Sequence, residues 1–426
     1  MTTTADLGMT LTADEAEALA KQHGTPFYLY DLDAALAHLT SLKTALAGAV
    51  DVFYCVKANG NKKVMEAFKP HVGGLDLSSA GELDMAIAAG FDPKHMSIAG
   101  PGKTTEDLER CVERGIGIIS LESLPELGRL AKVAAAKNKT QGVTLRINPA
   151  QTPKEFAMRM GGGASQFGVA EEDASAALDA VLAEKNVKLV GLHIYAGTQC
   201  LEERALVENM MGSLAIVGRL AEEKNLEPEF VNLGGGFGIP YFTGQNVVDT
   251  PALGRAIAGK LNEWKAQNPR FAKTRFIFEL GRFLIGRYGV YVARVTETKE
   301  TRGKRYVILD GGMHHCFPAT GNFGQLVKKN YPVKNLTRGG DAALESDENA
   351  PQELCGPLCT PMDSMARGVK IAKAEPGDLV GFFASGAYSF AASPLLFLSH
   401  DTPLELLKRE AKVTVARERM PATRFW

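Results

Sequence analysis

The chain has 426 residues and a mass of 45.7 kDa, is 45% hydrophobic and 23% charged, and carries a formal net charge of -1. That length accommodates two domains with their own cores, and the near-zero charge removes the basic field that nucleic-acid binding needs. The 6 cysteines show no CxxC or His/Cys spacing, no apolar run approaches the ~20 residues of a membrane helix, and the polar start Met1–Asp6 has no secretory layout, so the expectation is a soluble cytoplasmic protein without metal, disulfide framework or membrane contact.

From Phe27 to about Pro269, β-like runs alternate with helical patterns. Strands are predicted at Phe27–Tyr30, Val52–Val56, Gly74–Leu77, Met96–Ala99, Gly117–Leu121, Val143–Ile147, Leu189–His193 and Phe230–Leu233, with helices such as Ala80–Ala89, Thr105–Arg114, Ser123–Ala136, Glu171–Ala183 and Arg204–Glu223 between them. About eight strand–helix units predict an α/β (β/α)8 barrel of the TIM type, with a doubly wound sheet as the competing topology. After Arg275 the runs Phe276–Phe278, Gly289–Thr298, Arg305–Leu309, Asp378–Phe383 and Leu404–Lys408 follow one another through turns, which predicts a β-sandwich or β-barrel domain. The expected division is an amino-terminal segment 1–26, a barrel 27–270 and a β-domain 271–426, with the acidic stretch Gly339–Pro351 as a surface loop.

Barrel enzymes gather working residues at the carboxyl ends of their strands, and there the sequence places Lys57, Asp76, Arg146, His193, Tyr195 and the run Gly234-Gly235-Gly236-Phe237-Gly238. Lys57 closes the apolar run Asp51-Val52-Phe53-Tyr54-Cys55; burial lowers an amine's pKa and frees it as a nucleophile towards carbonyls, although a lone lysine there could simply snorkel to the strand mouth. Glycines let main-chain N–H groups turn towards a phosphate, or merely make a tight turn. Glu279-Leu280-Gly281-Arg282 adds a carboxylate suited to a pyridine nitrogen and a guanidinium suited to a phosphate, or an ion pair at the barrel rim. Cys359, within Cys355-Gly356-Pro357-Leu358-Cys359-Thr360-Pro361-Met362-Asp363, could donate a proton, and Tyr388 could bind phosphate; each could equally be a core residue. Together the pieces describe a pocket for pyridoxal 5'-phosphate.

The ordered set Val56-Lys57-Ala58-Asn59, Ser79-Ala80-Gly81-Glu82, Ser165-Gln166-Phe167-Gly168, Gly234-Gly235-Gly236-Phe237, Glu279-Leu280-Gly281-Arg282, Gly356-Pro357-Leu358-Cys359 and Gly386-Ala387-Tyr388 resembles the fold-type III pyridoxal-phosphate decarboxylases, the diaminopimelate, ornithine and arginine decarboxylase group. The resemblance spans essentially the whole chain. It implies a barrel plus β-domain working as a head-to-tail homodimer, with active sites at the subunit interface. It also implies Lys57 as the Schiff-base lysine and Glu279 as partner of the pyridine nitrogen. Gly235, Gly236, Arg282 and Tyr388 match phosphate contacts, and Asp76 and Arg146 match the acidic and basic residues beneath the ring. Cys359 matches a proton donor supplied, with Asp363, by the neighbouring subunit.

Two departures bear on substrate. Tyr195-Ala196-Gly197-Thr198 stands where the family usually has His-x-Gly-Ser; tyrosine stacks as well but cannot carry charge, and His193, two residues earlier, shares its face of the strand. Thr360 stands where the family places a carboxylate to hold a distal ammonium, and a hydroxyl cannot offset that group's desolvation. The combination Met158-Arg159-Met160-Gly161-Gly162, His193-Ile194-Tyr195-Ala196-Gly197-Thr198-Gln199, Asp310-Gly311-Gly312-Met313-His314-His315 and Leu358-Cys359-Thr360-Pro361 is similar to a biosynthetic branch acting on aminoacyl groups tethered to an acyl carrier protein, the butirosin-pathway glutamyl-carrier decarboxylase type. The segment Gly321-Asn322-Phe323-Gly324-Gln325 falls where the family recognises substrate. A substrate with an uncharged distal end is therefore expected, with Thr360, Asp363 and His314 as candidate substrate residues. A free basic amino-acid decarboxylase and an amino-acid racemase are the alternatives.

Overall fold

The computed structural model describes residues 7–242, 244–323, 328–339 and 345–425. The chain divides into two compact units, one of Met1–Ala37, Pro240–Val247 and Arg282–Trp426, the other of His38–Ile239 and Val248–Gly281.

The second of these is the barrel. Strand β1 (Phe27–Asp31) precedes it and belongs to the other unit. Strands β2 (Asp51–Cys55), β3 (Gly74–Leu77), β4 (Met96–Ile98), β5 (Ile118–Leu121) and β6 (Gln141–Asn148) lie side by side. Two short pieces, β7 (Met158–Arg159) and β8 (Val169–Ala170), precede β9 (Val187–Ile194), and the two-residue β10 (Gly197–Thr198) leads on to β11 (Phe230–Gly235) and β12 (Arg275–Leu280). Pairing runs β5-β4-β3-β2-β12-β11-β9-β6, all parallel, and β5 also pairs with β6, which closes an eight-stranded (β/α)8 barrel. Closure abolishes the unpaired edges that an open doubly wound sheet would keep. Inside it, Phe53, Phe230 and Ile277 pack together as an apolar plug, with Ile118 and Val190 against them. Helices between strands are capped by the residues the sequence offers: Ser79 Oγ accepts the Glu82 N–H at 3.1 Å, and Thr104 and Asp107 form a reciprocal capping box.

In the other unit β13 (Gly289–Thr301), β14 (Lys304–Leu309), β15 (Val333–Asn335), β16 (Gln352–Cys355), β17 (Ser364–Val369), β18 (Leu379–Phe382), β19 (Leu404–Arg409) and β20 (Lys412–Arg417) join β1 in a nine-stranded mixed sheet. Its backbone order is β17-β16-β14-β13-β1-β19-β20, with β18 bridging β13 and β15. Phe27, Leu29, Val290, Val292, Leu404 and Leu406 form the centre of its core, on which the amino-terminal helix Ala13–His23 lays Ala16, Leu19 and Ala20.

Two strands sit elsewhere than the pattern suggests. Phe27–Tyr30, expected as the first barrel strand, lies within β1, which pairs antiparallel with β13 and parallel with β19. Arg275–Leu280, whose Phe276–Phe278 core was expected to open the β-domain, closes the barrel between β11 and β2. Each is buried along nearly its whole length around an apolar or aromatic centre, and such a run fits a buried strand in either sheet. Of the segment Gly321-Asn322-Phe323-Gly324-Gln325, the last two residues lie outside the described residues, as do 340–344 of the acidic loop. Among the described residues no helix is long and apolar enough to cross a membrane, and no cluster of His, Cys, Asp and Glu is arranged to hold a metal.

Candidate active site

Strand β2 ends at Cys55, and Lys57 occupies the 3-10 turn Val56–Ala58 just beyond it. The turn is fixed from both sides, since Tyr54 Oη donates to the Asn59 carbonyl at 2.8 Å and the Asn61 N–H donates to Asn59 Oδ1 at 3.0 Å. Lys57 Nζ lies 3.3 Å from Asp76 Oδ2, with 39% of the lysine side chain exposed against 1% of the aspartate's. The amine thus stands at the open barrel mouth while its counter-charge is buried. Burial, reinforced by the negative charge of Glu279, pushes the Asp76 carboxyl up to about 6 against the pull of the Lys57 ammonium.

Glu279 is buried on β12, and Asn232 Nδ2 donates to its Oε1 through a short hydrogen bond. The other end of the same amide, Asn232 Oδ1, accepts the Gly234 N–H at 2.9 Å. Asn232 therefore ties the glycine run to the carboxylate, a role nothing in the sequence spacing revealed. His193 Nε2 lies 3.4 Å from Glu279 Oε1, and its Nδ1 shares a 2.7 Å hydrogen bond with Ser120 Oγ. Burial, with the Arg146 cation nearby, lowers the His193 imidazole to about 3, so it is neutral at working pH.

The glycines are required where they stand. β11 is irregular between Asn232 and Gly235, and a Cβ at Gly235 would fall 2.0 Å from the Glu279 carbonyl oxygen. At Gly236, φ is +87° and a Cβ would fall 2.3 Å from the Gly197 oxygen. The segment after Tyr195 holds this turn, because the Cys200 N–H donates to Gly236 O at 3.0 Å and the Gly238 N–H to Cys200 O at 2.8 Å.

Arg146, on β6 beside His193, is buried and donates to Glu122 Oε1 at 2.7 Å. Its guanidinium carbon lies 4.9 Å from the Phe167 ring centroid and 5.7 Å from that of Tyr195. A second buried pair, Lys103 Nζ to Glu126 Oε1 at 2.8 Å, lies one helical turn from Glu122. Sequence reasoning gave none of Glu122, Lys103 and Glu126 a role; Glu122 directly follows a predicted strand end, which is the signal that could have found it.

In the β-rich unit, Arg282 Nη1 donates to Tyr241 Oη at 2.7 Å and the guanidinium lies 4.7 Å from the Tyr388 ring centroid. Tyr241 in turn packs on Tyr331, ring centroids 4.9 Å apart. Gly386, two residues before Tyr388, leaves room for the Ile285 carbonyl, 2.0 Å from where a Cβ would sit. Cys359 is exposed on the loop between β16 and β17, next to half-buried Thr360. That loop is clamped by Asp363: the Met313 N–H donates to its Oδ1 at 2.6 Å and the Leu358 N–H to its Oδ2 at 2.9 Å. With both oxygens taken by main chain, Asp363 shapes the cysteine loop. His314 is fully buried with neither ring nitrogen hydrogen-bonded among the described residues, and it packs on His315 and His400 at ring separations of 3.7 and 4.7 Å.

Residues 32–286 match the family model described as pyridoxal-dependent decarboxylase, pyridoxal binding domain. The chain is 37% identical over 411 residues to the L-glutamyl-[BtrI acyl-carrier protein] decarboxylase of Niallia circulans, covering 96% of this chain and 95% of that protein. It is 30% identical to the 2-[(L-alanin-3-ylcarbamoyl)methyl]-2-hydroxybutanedioate decarboxylase of Staphylococcus aureus, covering 90% and 94%. Among solved structures, diaminopimelate decarboxylase from M. jannaschii with L-lysine superposes with a TM-score of 0.85 at 26% identity, covering 95% of this chain and 92% of that one. The chain belongs to the pyridoxal-dependent decarboxylases.

The residues present fit the family's cofactor, pyridoxal phosphate. The barrel offers this decarboxylase an amine at its mouth, a buried carboxylate held by an amide, and a glycine turn packed too closely for any side chain. In the other unit Arg282 keeps a buried Nε with no hydrogen bond among the described residues, a donor suited to an anion.

Proposed function

We propose that this decarboxylase removes the α-carboxylate of an amino acid whose distal end carries no free ammonium, and that the substrate arrives tethered to an acyl carrier protein. The observation that carries the reading is Thr360, a neutral hydroxyl beside the exposed Cys359 where a free diamine substrate would need a carboxylate. The carrier-linked activity in the name of the Niallia circulans relative, which aligns along 96% of this chain, supports it.

When bound, pyridoxal phosphate supplies the electron sink for the bond electrons released as carbon dioxide leaves. Lys57 Nζ would hold the cofactor's aldehyde, with Asp76 as its counter-charge. Glu279 keeps a proton on the pyridine nitrogen. Asn232 fixes the rotamer of that carboxylate, and neutral His193 adds no charge that would compete with the pyridinium. Tyr195 and Arg146 would bind the cofactor's ring, and Gly235 and Gly236 would give main-chain N–H groups to its phosphate. Arg282 and Tyr388 take the phosphate-binding roles of their family motifs. Cys359 Sγ returns a proton to the carbon that has lost carbon dioxide; its exposure suits delivery to the site of a second subunit in a homodimer.

Carbon dioxide release by the purified enzyme from carrier-linked aminoacyl groups and from free lysine, ornithine and diaminopimelate tests the substrate. Turnover confined to the tethered, distally uncharged group is expected. Ordinary enzymatic rates on a free diamine amino acid would refute the reading.

A further inference from the structure

One buried carboxylate, Glu122, joins four segments at the carboxyl end of the barrel. Its Oε1 accepts from Arg146 Nη1 on β6 at 2.7 Å and from the Gly100 N–H, just beyond β4, at 2.8 Å. Its Oε2 accepts the Gly168 N–H at 2.7 Å, and its own N–H donates to Glu126 Oε2 at 3.0 Å. Burial alone would raise the Glu122 carboxyl, but Arg146, Lys103 and these hydrogen bonds outweigh it and lower it from the ordinary carboxylate value, which favours the charged form. Lys103 braces the same cage: besides pairing with Glu126 it donates to Gly100 O at 2.7 Å and Ser120 O at 2.9 Å.

Gly168 closes a flap of residues 149–168 that leaves β6 after Asn148 and returns as β8, paired parallel to β6. With φ at +69°, Gly168 would place a Cβ 2.9 Å from the Arg146 carbonyl, so the flap root lies directly on the Arg146 backbone. The preceding Phe167 stacks on the Arg146 guanidinium. Further out, β7 pairs with β10, and the N–H groups of Met160 and Gly161 donate to Ala196 O at 2.9 and 3.0 Å. The flap therefore rests on the segment that follows Tyr195, and its root is held by one carboxylate that also holds Arg146.

We propose that Glu122 is a positioning residue that orients Arg146 and latches the 149–168 flap onto the barrel mouth, so that the two are set together. The Arg146 half rests on the active-site reading above; the latch does not. Replacing the carboxylate by an amide leaves the buried guanidinium without its counter-charge and turns one acceptor into a donor facing either Arg146 or the Gly168 N–H.

The test uses the cofactor-loaded enzyme and the variants Glu122→Gln, Glu122→Asp and Phe167→Leu, with hydrogen exchange over 149–168 read beside kcat and KM. In Glu122→Gln, exchange at the flap root should rise about tenfold or more, the scale of one lost charge-assisted hydrogen bond, and KM should rise with it. Glu122→Asp should recover part of both. Phe167→Leu, which leaves the cage intact, should shift both in the same direction by less, and adding it to Glu122→Gln should have little further effect. If Glu122→Gln does not fold, Glu122→Asp decides, because it withdraws the same carboxylate from Arg146 and the Gly168 N–H while keeping its charge. Unchanged flap exchange in the decisive variant overturns the latch, and faster exchange with unchanged kcat and KM overturns the positioning role. Failure of the underlying reading would show differently, as a wild-type enzyme that takes up no cofactor.

Discussion

The barrel mouth and the cysteine loop solve the problem of placing a reactive group in opposite ways. At the mouth, polar groups are interlocked with buried partners: Lys57 on Asp76, Arg146 on Glu122, and Glu279 held by Asn232 and faced by His193. In the loop, Cys359 is exposed, its neighbour Thr360 is neutral, and the only buried charge, Asp363, is spent on main-chain amides. Chemistry shared by a whole family can be built into a rigid, low-dielectric scaffold, where each ion's cost is offset by its partners. On the proposed reading, substrate choice falls to a loop clamped by Asp363 with an exposed Cys359.

Substitutions should therefore separate the two regions. The largest effect belongs to Lys57→Ala, which should abolish both turnover and the absorbance of lysine-bound cofactor. Cys359→Ala should keep that absorbance and lower the decarboxylation rate by ~10²–10⁴, the usual scale of acid–base catalysis, which steady-state kinetics would read. Full rate in that variant would remove the assignment of the cysteine as acid. Asp363→Asn replaces one acceptor with a donor facing a main-chain N–H and should cost about 1–3 kcal/mol, seen as a lower Tm with the cofactor spectrum unchanged. An altered spectrum would mean that the loop and the mouth are not independent.

The smallest effect concerns pH. Burial lowers the His314 imidazole to about 2 and His315 to about 4, so both stay neutral in the folded protein well below the ordinary histidine range. Below about pH 6.5 the unfolded chain takes up protons that the folded one refuses, so stability falls as pH drops from there, by up to about 1.4 kcal/mol per pH unit for each group. His314→Leu removes one such proton, and the decline of Tm between pH 7 and pH 5 should become less steep. An unaltered slope would show that His314 does not titrate in this way.

Much of the fold was legible because parallel barrel strands are short apolar runs separated by helical patterns. The two misplaced strands show the limit: nothing in Phe27–Asp31 or Arg275–Leu280 encodes which sheet they join, and only the long-range pairing to β13 and β2 decides it. Within the proposed site, Lys57, Glu279 and the glycine run stood out in the sequence by residue type and by their places at predicted strand ends. Residues that act by holding others did not, because Asn232 is defined by an interaction 47 positions away and Glu122 by ones 24 and 46 positions away. Asp363 was legible as a position of interest, but its acceptance of two main-chain N–H groups is a three-dimensional fact.

The most direct test is borohydride reduction of the cofactor-loaded enzyme, followed by digestion and peptide mass mapping. A pyridoxyl mass added to the peptide containing Lys57, and to no other, is the expected result. A label on a different lysine, or none on a protein that still decarboxylates, would contradict the account at its root.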